Sequence, residues 1–153
     1  MAREVFIADG YTESAYLAPV ENVYEQEIRF TYRPTLNEER SLASDDIRTA
    51  KDGAQADRRA ANRLVKQLVS WSITRPDKDG KQVPLELAVK NILRLKFKVF
   101  DRLQAIAIYG TEGGDIDPES SSACKDTIDS TLADSAIGNL NYVDTKAEAD
   151  EKN

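Results

Sequence analysis

Histidine is absent from this 153-residue chain, and cysteine, methionine and tryptophan occur once each. Without histidine the commonest general base and metal ligand is missing, which argues against serine or cysteine triads and most catalytic zinc sites. The lone Cys124 has no partner for an internal bridge and belongs to no ligand cluster, so a disulfide framework and structural zinc are not expected. No base accompanies it, so it is not read as a nucleophile. Long apolar runs are missing too: the longest, residues 105–109, is far too short to span a bilayer. The opening M-A-R-E-V-F-I-A-D-G lacks the apolar core of a signal peptide. These absences predict a soluble, cytosolic protein with no cofactor, no metal and no membrane partner. Its length allows one domain with a real core, plus tails.

Charge is unevenly spread. The chain carries 27 acidic and 21 basic residues, net −6. Residues 111–153 hold eleven Asp and Glu against three Lys, a net of −8, which leaves 16 acidic and 18 basic residues, or +2, for residues 1–110. The domain is therefore placed at 1–110, and 111–153 is read as an acidic, largely disordered tail. Within that tail G-T-E-G-G-D lacks the Lys-Ser/Thr of a phosphate loop and is read as a linker. Residues 123–137 hold a marginal helical pattern.

Taken in order, Val5, Phe6 and Ile7 and then Ala15 to Leu17 suggest short strands, with Gly10 and Pro19 as breaks. The clearer strand is E-I-R-F-T-Y-R-P, where Ile28, Phe30 and Tyr32 alternate with Arg29, Thr31 and Arg33. Pro34 ends it. T-L-N-E at 35–38 has capping-box spacing, so a helix is expected from near Leu36, weakly amphipathic with Leu36, Leu42, Ala43 and Ile47 as its apolar positions, ending near Lys51-Asp52-Gly53. From Ala54 a stronger helix places Ala60, Ala61, Leu64, Val65, Leu68 and Val69 on one face. Arg58, Arg59, Arg63 and Lys66 fall largely outside that face and are read as solvated rather than as a binding patch. Trp71-Ser72-Ile73 suggests a strand pairing with 27–33. The turn P-D-K-D-G-K follows, and it mimics a calcium loop: with Arg75 as position 1, Asp77, Asp79, Gly80 and Glu86 fall at positions 3, 5, 6 and 12. The cation at position 1 and Pro84 in the pairing segment favour an ordinary turn.

The longest helical pattern runs from Pro84, expected in the first turn, to Gly110. Val89, Ile92, Leu93, Phe97, Phe100, Leu103, Ile106 and Ala107 share one face, and Leu95, Val99, Ile106 and Tyr109 widen it. Lys90, Arg94, Lys98 and Arg102, four apart, form a basic ridge beside it. That ridge admits three readings, in falling order: solvated cations, a dock for the acidic tail or an acidic partner, and nucleic acid. The apolar face is read first as core and second as a partner surface. The fold class that follows is α+β and helix-dominated, with small N-terminal antiparallel strands packed against three to four helices and a flexible acidic C-terminal tail.

R-F-T-Y-R-P at Arg29 to Pro34, then Leu36 to Arg40, Trp71, the turn from Asp77 to Pro84, and N-I-L-R-L at Asn91 to Leu95 resemble, in order and spacing, the tail assembly chaperones of long-tailed bacteriophages. The resemblance covers residues 29–110. It implies a non-enzymatic protein of the host bacterial cytoplasm that binds the tape-measure protein, keeps it soluble, and helps tail-tube subunits assemble around it. It also implies self-association, absence from the finished virion, and often a longer frameshifted form. The family is mainly helical, and this chain departs from it in its β-rich first thirty residues. The candidate partner contacts are Val99, Phe100, Leu103 and Ile106, with Arg94 and Arg102 at the rim, in a helix-in-groove mode.

Three other classes compete. A structural virion component, such as a minor tail or head-tail joining protein, would use the same surfaces for permanent contacts. An enzyme would need a carboxylate site, for which Asp77 with Asp79 or Asp45 with Asp46 are adjacent acidic pairs, both in turn-like or exposed helical sequence. A DNA-binding regulator would rest on Arg58, Arg59 and Arg63 alone; no nucleic-acid partner is expected.

Overall fold

The computed structural model describes residues 4–120. The chain divides into two compact units, Met1–Asp115 and Ile116–Asn153, and only residues 116–120 of the second are described. The flexibility expected of the acidic tail, the helical pattern at 123–137 and Cys124 therefore fall outside the described residues.

The first unit is α+β. Its elements are β1 (Glu13–Leu17), β2 (Ile28–Tyr32), α1 (Asn37–Arg48), α2 (Gly53–Gln67), β3 (Leu68–Trp71), β4 (Thr74–Pro76), β5 (Gln82–Pro84), α3 (Val89–Ile92) and α4 (Phe97–Leu103), which continues as a π-helical turn over Gln104–Ile108. The first three strands make one antiparallel sheet in the order β1-β2-β3, and β4 with β5 makes a separate hairpin. The alternation seen in 28–32 is realised: Ile28, Phe30 and Tyr32 are buried while Arg29 and Thr31 are half-buried on the opposite face. Across the sheet Ala15 pairs with Phe30 and Leu17 with Ile28, so one face is continuously apolar. That face meets Ala60, Ala61 and Leu64 of α2 and Val99, Phe100, Leu103 and Ile106 of the last helix in a single core. Small Ala60 and Ala61 let α2 approach closely, and each fully buried leucine such as Leu64 or Leu103 contributes about 1.5–3 kcal/mol.

Several expectations are corrected. The segment 5–7 forms no strand, and Val5 and Phe6 are exposed. The capping box is not formed at α1: Leu36 is the N-cap, without a side-chain bond, and the Thr35 hydroxyl instead donates to Ala107 O at 2.7 Å. The π-helical turn ends with Thr111 N bonding Ala105 O, and Thr35 supplies a donor to the Ala107 carbonyl. A capping arrangement does appear one helix later, where Asp52 accepts from Gln55 N and Gln55 accepts from Lys51 N. α1 rides on the outside: it buries Ala43 alone, while Leu42 and Ile47 are exposed. Val69 leaves the apolar face because Tyr32 pairs with Leu68 and Thr31 with Ser70, which makes Val69 the extra residue of a bulge.

The long helix expected from Pro84 to Gly110 does not form as one element. Pro84 ends strand β5, opposite Thr74, and the helical pattern from 84 to 110 is broken between α3 and α4. Lys96 explains the break. It lies four residues after Ile92 and four before Phe100, so an unbroken helix would point its ammonium into the core, a costly burial. With extended backbone at Lys96 (φ −61, ψ 146) the side chain is exposed instead and donates to the carbonyl of Val23.

Candidate protein-binding groove

The hairpin β4–β5 and helix α3 stand on either side of a groove of about 580 Å³. Its floor is fixed by local bonds. Leu85 N donates to Ile73 O, the Trp71 indole donates to Leu85 O at 2.7 Å, and the Asn91 amide donates to Glu86 O at 2.7 Å. The turn that places the hairpin is held by Asp77, whose Oδ1 accepts from Asp79 N and Lys81 N, with Gly80 at φ +80. That carboxylate is thereby engaged by the turn itself, as in an ordinary Asx-type turn, and no group of three or more ligating side chains suited to a metal occurs among the described residues.

Leu85 and Leu95 are half-buried at the base and pack against the core. Arg75 lies on one wall, and Lys90 and Arg94 on the other, all exposed; none makes an ion pair among the described residues. Glu86 is the one acidic group lining the groove among the described residues. Leu93, the C-cap of α3, is 40% exposed and Phe97, the first residue of α4, is 76% exposed, and neither lines the groove. Exposed apolar side chains close in sequence to cations that make no ion pair among the described residues make a surface suited to a polypeptide.

The six residues singled out from the sequence separate into three groups. Val99, Phe100, Leu103 and Ile106 are buried at 4%, 8%, 0% and 2% exposure and serve the core, so they offer no surface to a partner in this conformation. Arg94 lines the groove and makes no ion pair among the described residues. Arg102 is engaged within its own unit: Nε donates to Glu112 at 2.9 Å, one terminal nitrogen to Asp115 at 2.8 Å and the other to Gly113 O. The four cations of the expected ridge thus have different neighbours, because the helix that would align them is broken.

The Arg102 cluster belongs to a strap that lies against the outer edge of β1. Asp115 N donates to Tyr16 O at 2.7 Å, and Ala18 N donates to the Asp115 carboxylate at 2.8 Å. Between them Gly114 approaches so closely that a Cβ would lie 2.8 Å from Tyr16 O and 2.9 Å from Tyr16 N. The compact unit consequently runs past Gly110, which ends the helix at φ +60, and on to Asp115. Partial burial pushes the Asp115 carboxyl up, but the Ala18 amide and the Arg102 guanidinium outweigh it and hold the group below its usual range. Nearby, burial raises the Tyr24 phenol, opposed by Arg102 and reinforced by Asp115.

The arginines of α2 are also less uniform than expected. Arg63 pairs with Asp46 of α1 at 2.5 Å and Arg59 donates to Asp46 O at 2.7 Å, which ties α1 to α2, whereas Arg58 is exposed. Sequence reasoning passed over Arg75 as a groove residue. Its cationic side chain was visible, but only the pairing of β4 with β5 brings it opposite α3.

No helix among the described residues is long and apolar enough to cross a membrane. No protein-family model matches the chain, and neither a curated protein nor a solved structure does.

Proposed function

We propose that this chain is a non-enzymatic binding protein, a tail assembly chaperone of a long-tailed bacteriophage that holds the tape-measure protein soluble in the host cytoplasm until tail-tube subunits assemble around it. The observation that carries the proposal is a groove lined by three cations that make no ion pair among the described residues, with Leu93 and Phe97 exposed on the neighbouring stretch of chain. The order of sequence landmarks from Arg29 to Leu95 directs it toward this family. A long helical partner with apolar stripes exposes surface that aggregates before assembly. Covering one stripe with Leu93, Phe97 and the groove is helix-in-groove recognition, and many weakly bound copies along one partner supply avidity. Because Val99, Phe100, Leu103 and Ile106 serve the core, the contact is assigned to Leu93, Arg94 and Phe97 instead.

Co-expression with the tape-measure protein of the same genome tests this reading. The expected result is a soluble partner that co-elutes with the chain, and a loss of that effect with Leu93→Ser and Phe97→Ser. A partner that stays insoluble, together with recovery of this chain in purified virions, would replace the chaperone by a structural tail or head-tail joining component.

A further inference from the structure

The groove has a chemistry more specific than that of a general apolar patch. Its base is aliphatic, from Leu85 and Leu95, and its walls carry Arg75 on one side and Lys90 with Arg94 on the other. Against these three cations stands the single carboxylate of Glu86. The cations are exposed and form no ion pair among the described residues, so an incoming carboxylate does not have to displace an internal partner. Lys90 on α3 and Arg94 just past its end both line the groove, so carboxylates spaced along a partner helix can reach them. The bonds from Leu85 to Ile73, from Trp71 to Leu85 and from Asn91 to Glu86 hold the groove open before anything binds, which lowers the ordering cost of association.

We infer that this groove takes an acidic amphipathic helical segment of a partner protein, with an apolar side chain on Leu85 and Leu95 and flanking carboxylates on Arg75, Lys90 and Arg94. The inference rests on the protein-binding reading above and names the chemistry of the segment recognised. Nucleic acid fits less well. Among the described residues no aromatic ring lines the groove to stack a base.

The test uses the full chain and a fluorescein-labelled helical peptide of about 18 residues, long enough to hold a helix when docked, with leucines on one stripe and glutamates four apart beside it. A second peptide carries lysine in place of each glutamate, and unlabelled single- and double-stranded DNA serve as competitors. Binding of the glutamate peptide but not the lysine peptide is expected, weakened at least about tenfold by the pair Lys90→Glu and Arg94→Glu and also by Arg75→Glu. These side chains are exposed and unpaired, so the variants are expected to keep the wild-type circular dichroism and melting curve. Equal binding of the two peptides, unchanged affinity in the folded charge-reversal variants, or displacement of the peptide by DNA would each overturn the inference. The two proposals fail separately. If the Lys90→Glu, Arg94→Glu variant still solubilises the tape-measure protein, the groove is wrong and the chaperone stands. If the wild-type chain binds the glutamate peptide but does not solubilise the tape-measure protein, the chaperone is wrong and the groove stands.

Discussion

Replacing Gly114 by alanine places a methyl group against the backbone of β1, 2.8 Å from Tyr16 O, 2.9 Å from Tyr16 N and 3.0 Å from Ala15 Cβ. Two of those three atoms are main-chain atoms of a strand locked to β2, so they cannot swing aside. One outcome is that the strap stays seated and the strain is absorbed, at about 1–3 kcal/mol as in other overpacked sites. The other is that the strap lifts. It then loses the bond from Asp115 N to Tyr16 O, worth about 1 kcal/mol, together with the Ala18 and Arg102 contacts to the Asp115 carboxylate, which partial exposure keeps modest. Both routes converge on a loss of about 1–3 kcal/mol, or a fall of about 4–12 °C in melting temperature for a domain of this size. Thermal unfolding measures the total, and amide hydrogen exchange at Ala18 and Asp115 separates the routes, because only a lifted strap frees both amides. Gly53→Ala is the control: it opens helix α2, nothing lies within 4 Å of its added Cβ, and it is expected to be neutral or slightly stabilising. A Gly114→Ala protein with wild-type melting and full protection at both amides would show that the strap stays seated without strain, and would refute the close approach of residue 114 to Tyr16.

Two further expectations concern the core and the acid limb of stability. Leu103→Ala should cost about 2–5 kcal/mol, because its side chain is fully buried, whereas Phe97→Ala at 76% exposure should stay within about 0.5 kcal/mol; urea unfolding of both would expose an error if the two costs were equal. For pH the sign follows from Asp115, whose folded pKa is depressed by the Ala18 amide and Arg102 against the opposing effect of burial. Its stabilisation is therefore complete above the ordinary Asp value of about 3.9 and is lost as pH falls through the lower folded value. Asp115→Asn should flatten the acid end of the stability profile, and an unchanged profile would remove Asp115 from that account.

Much of the architecture was readable where one local signal acted alone. The alternation of Ile28, Phe30 and Tyr32, the apolar face of α2 and the turn at 77–81 each formed as their periodicity and turn chemistry require. Errors arose where two signals competed. At 35–38 the capping spacing was present, but the Thr35 hydroxyl is used on Ala107, far along the chain. Between Pro84 and Gly110 the apolar spacing outweighed Lys96, whose position in the middle of the apolar face was the warning that the helix must break. The candidate site was legible in part: Arg94 faces the groove, while Arg102 is already bonded to Glu112 and Asp115 and the four apolar candidates are interior.

The amino-acid sequence by itself determined the fold class, the apolar faces of β2 and α2, and the division of charge between the domain and the acidic tail, since these depend on periodicity and composition along the chain. Only the tertiary structure decided which apolar stripes are inside and which cations remain unpaired. Those outcomes depend on neighbours distant in sequence, such as Val23 for Lys96, the hairpin that sets Arg75 opposite α3, and the strap whose Gly114 closes on Tyr16. Burial and pairing are properties of the packed chain, and no local pattern contains them.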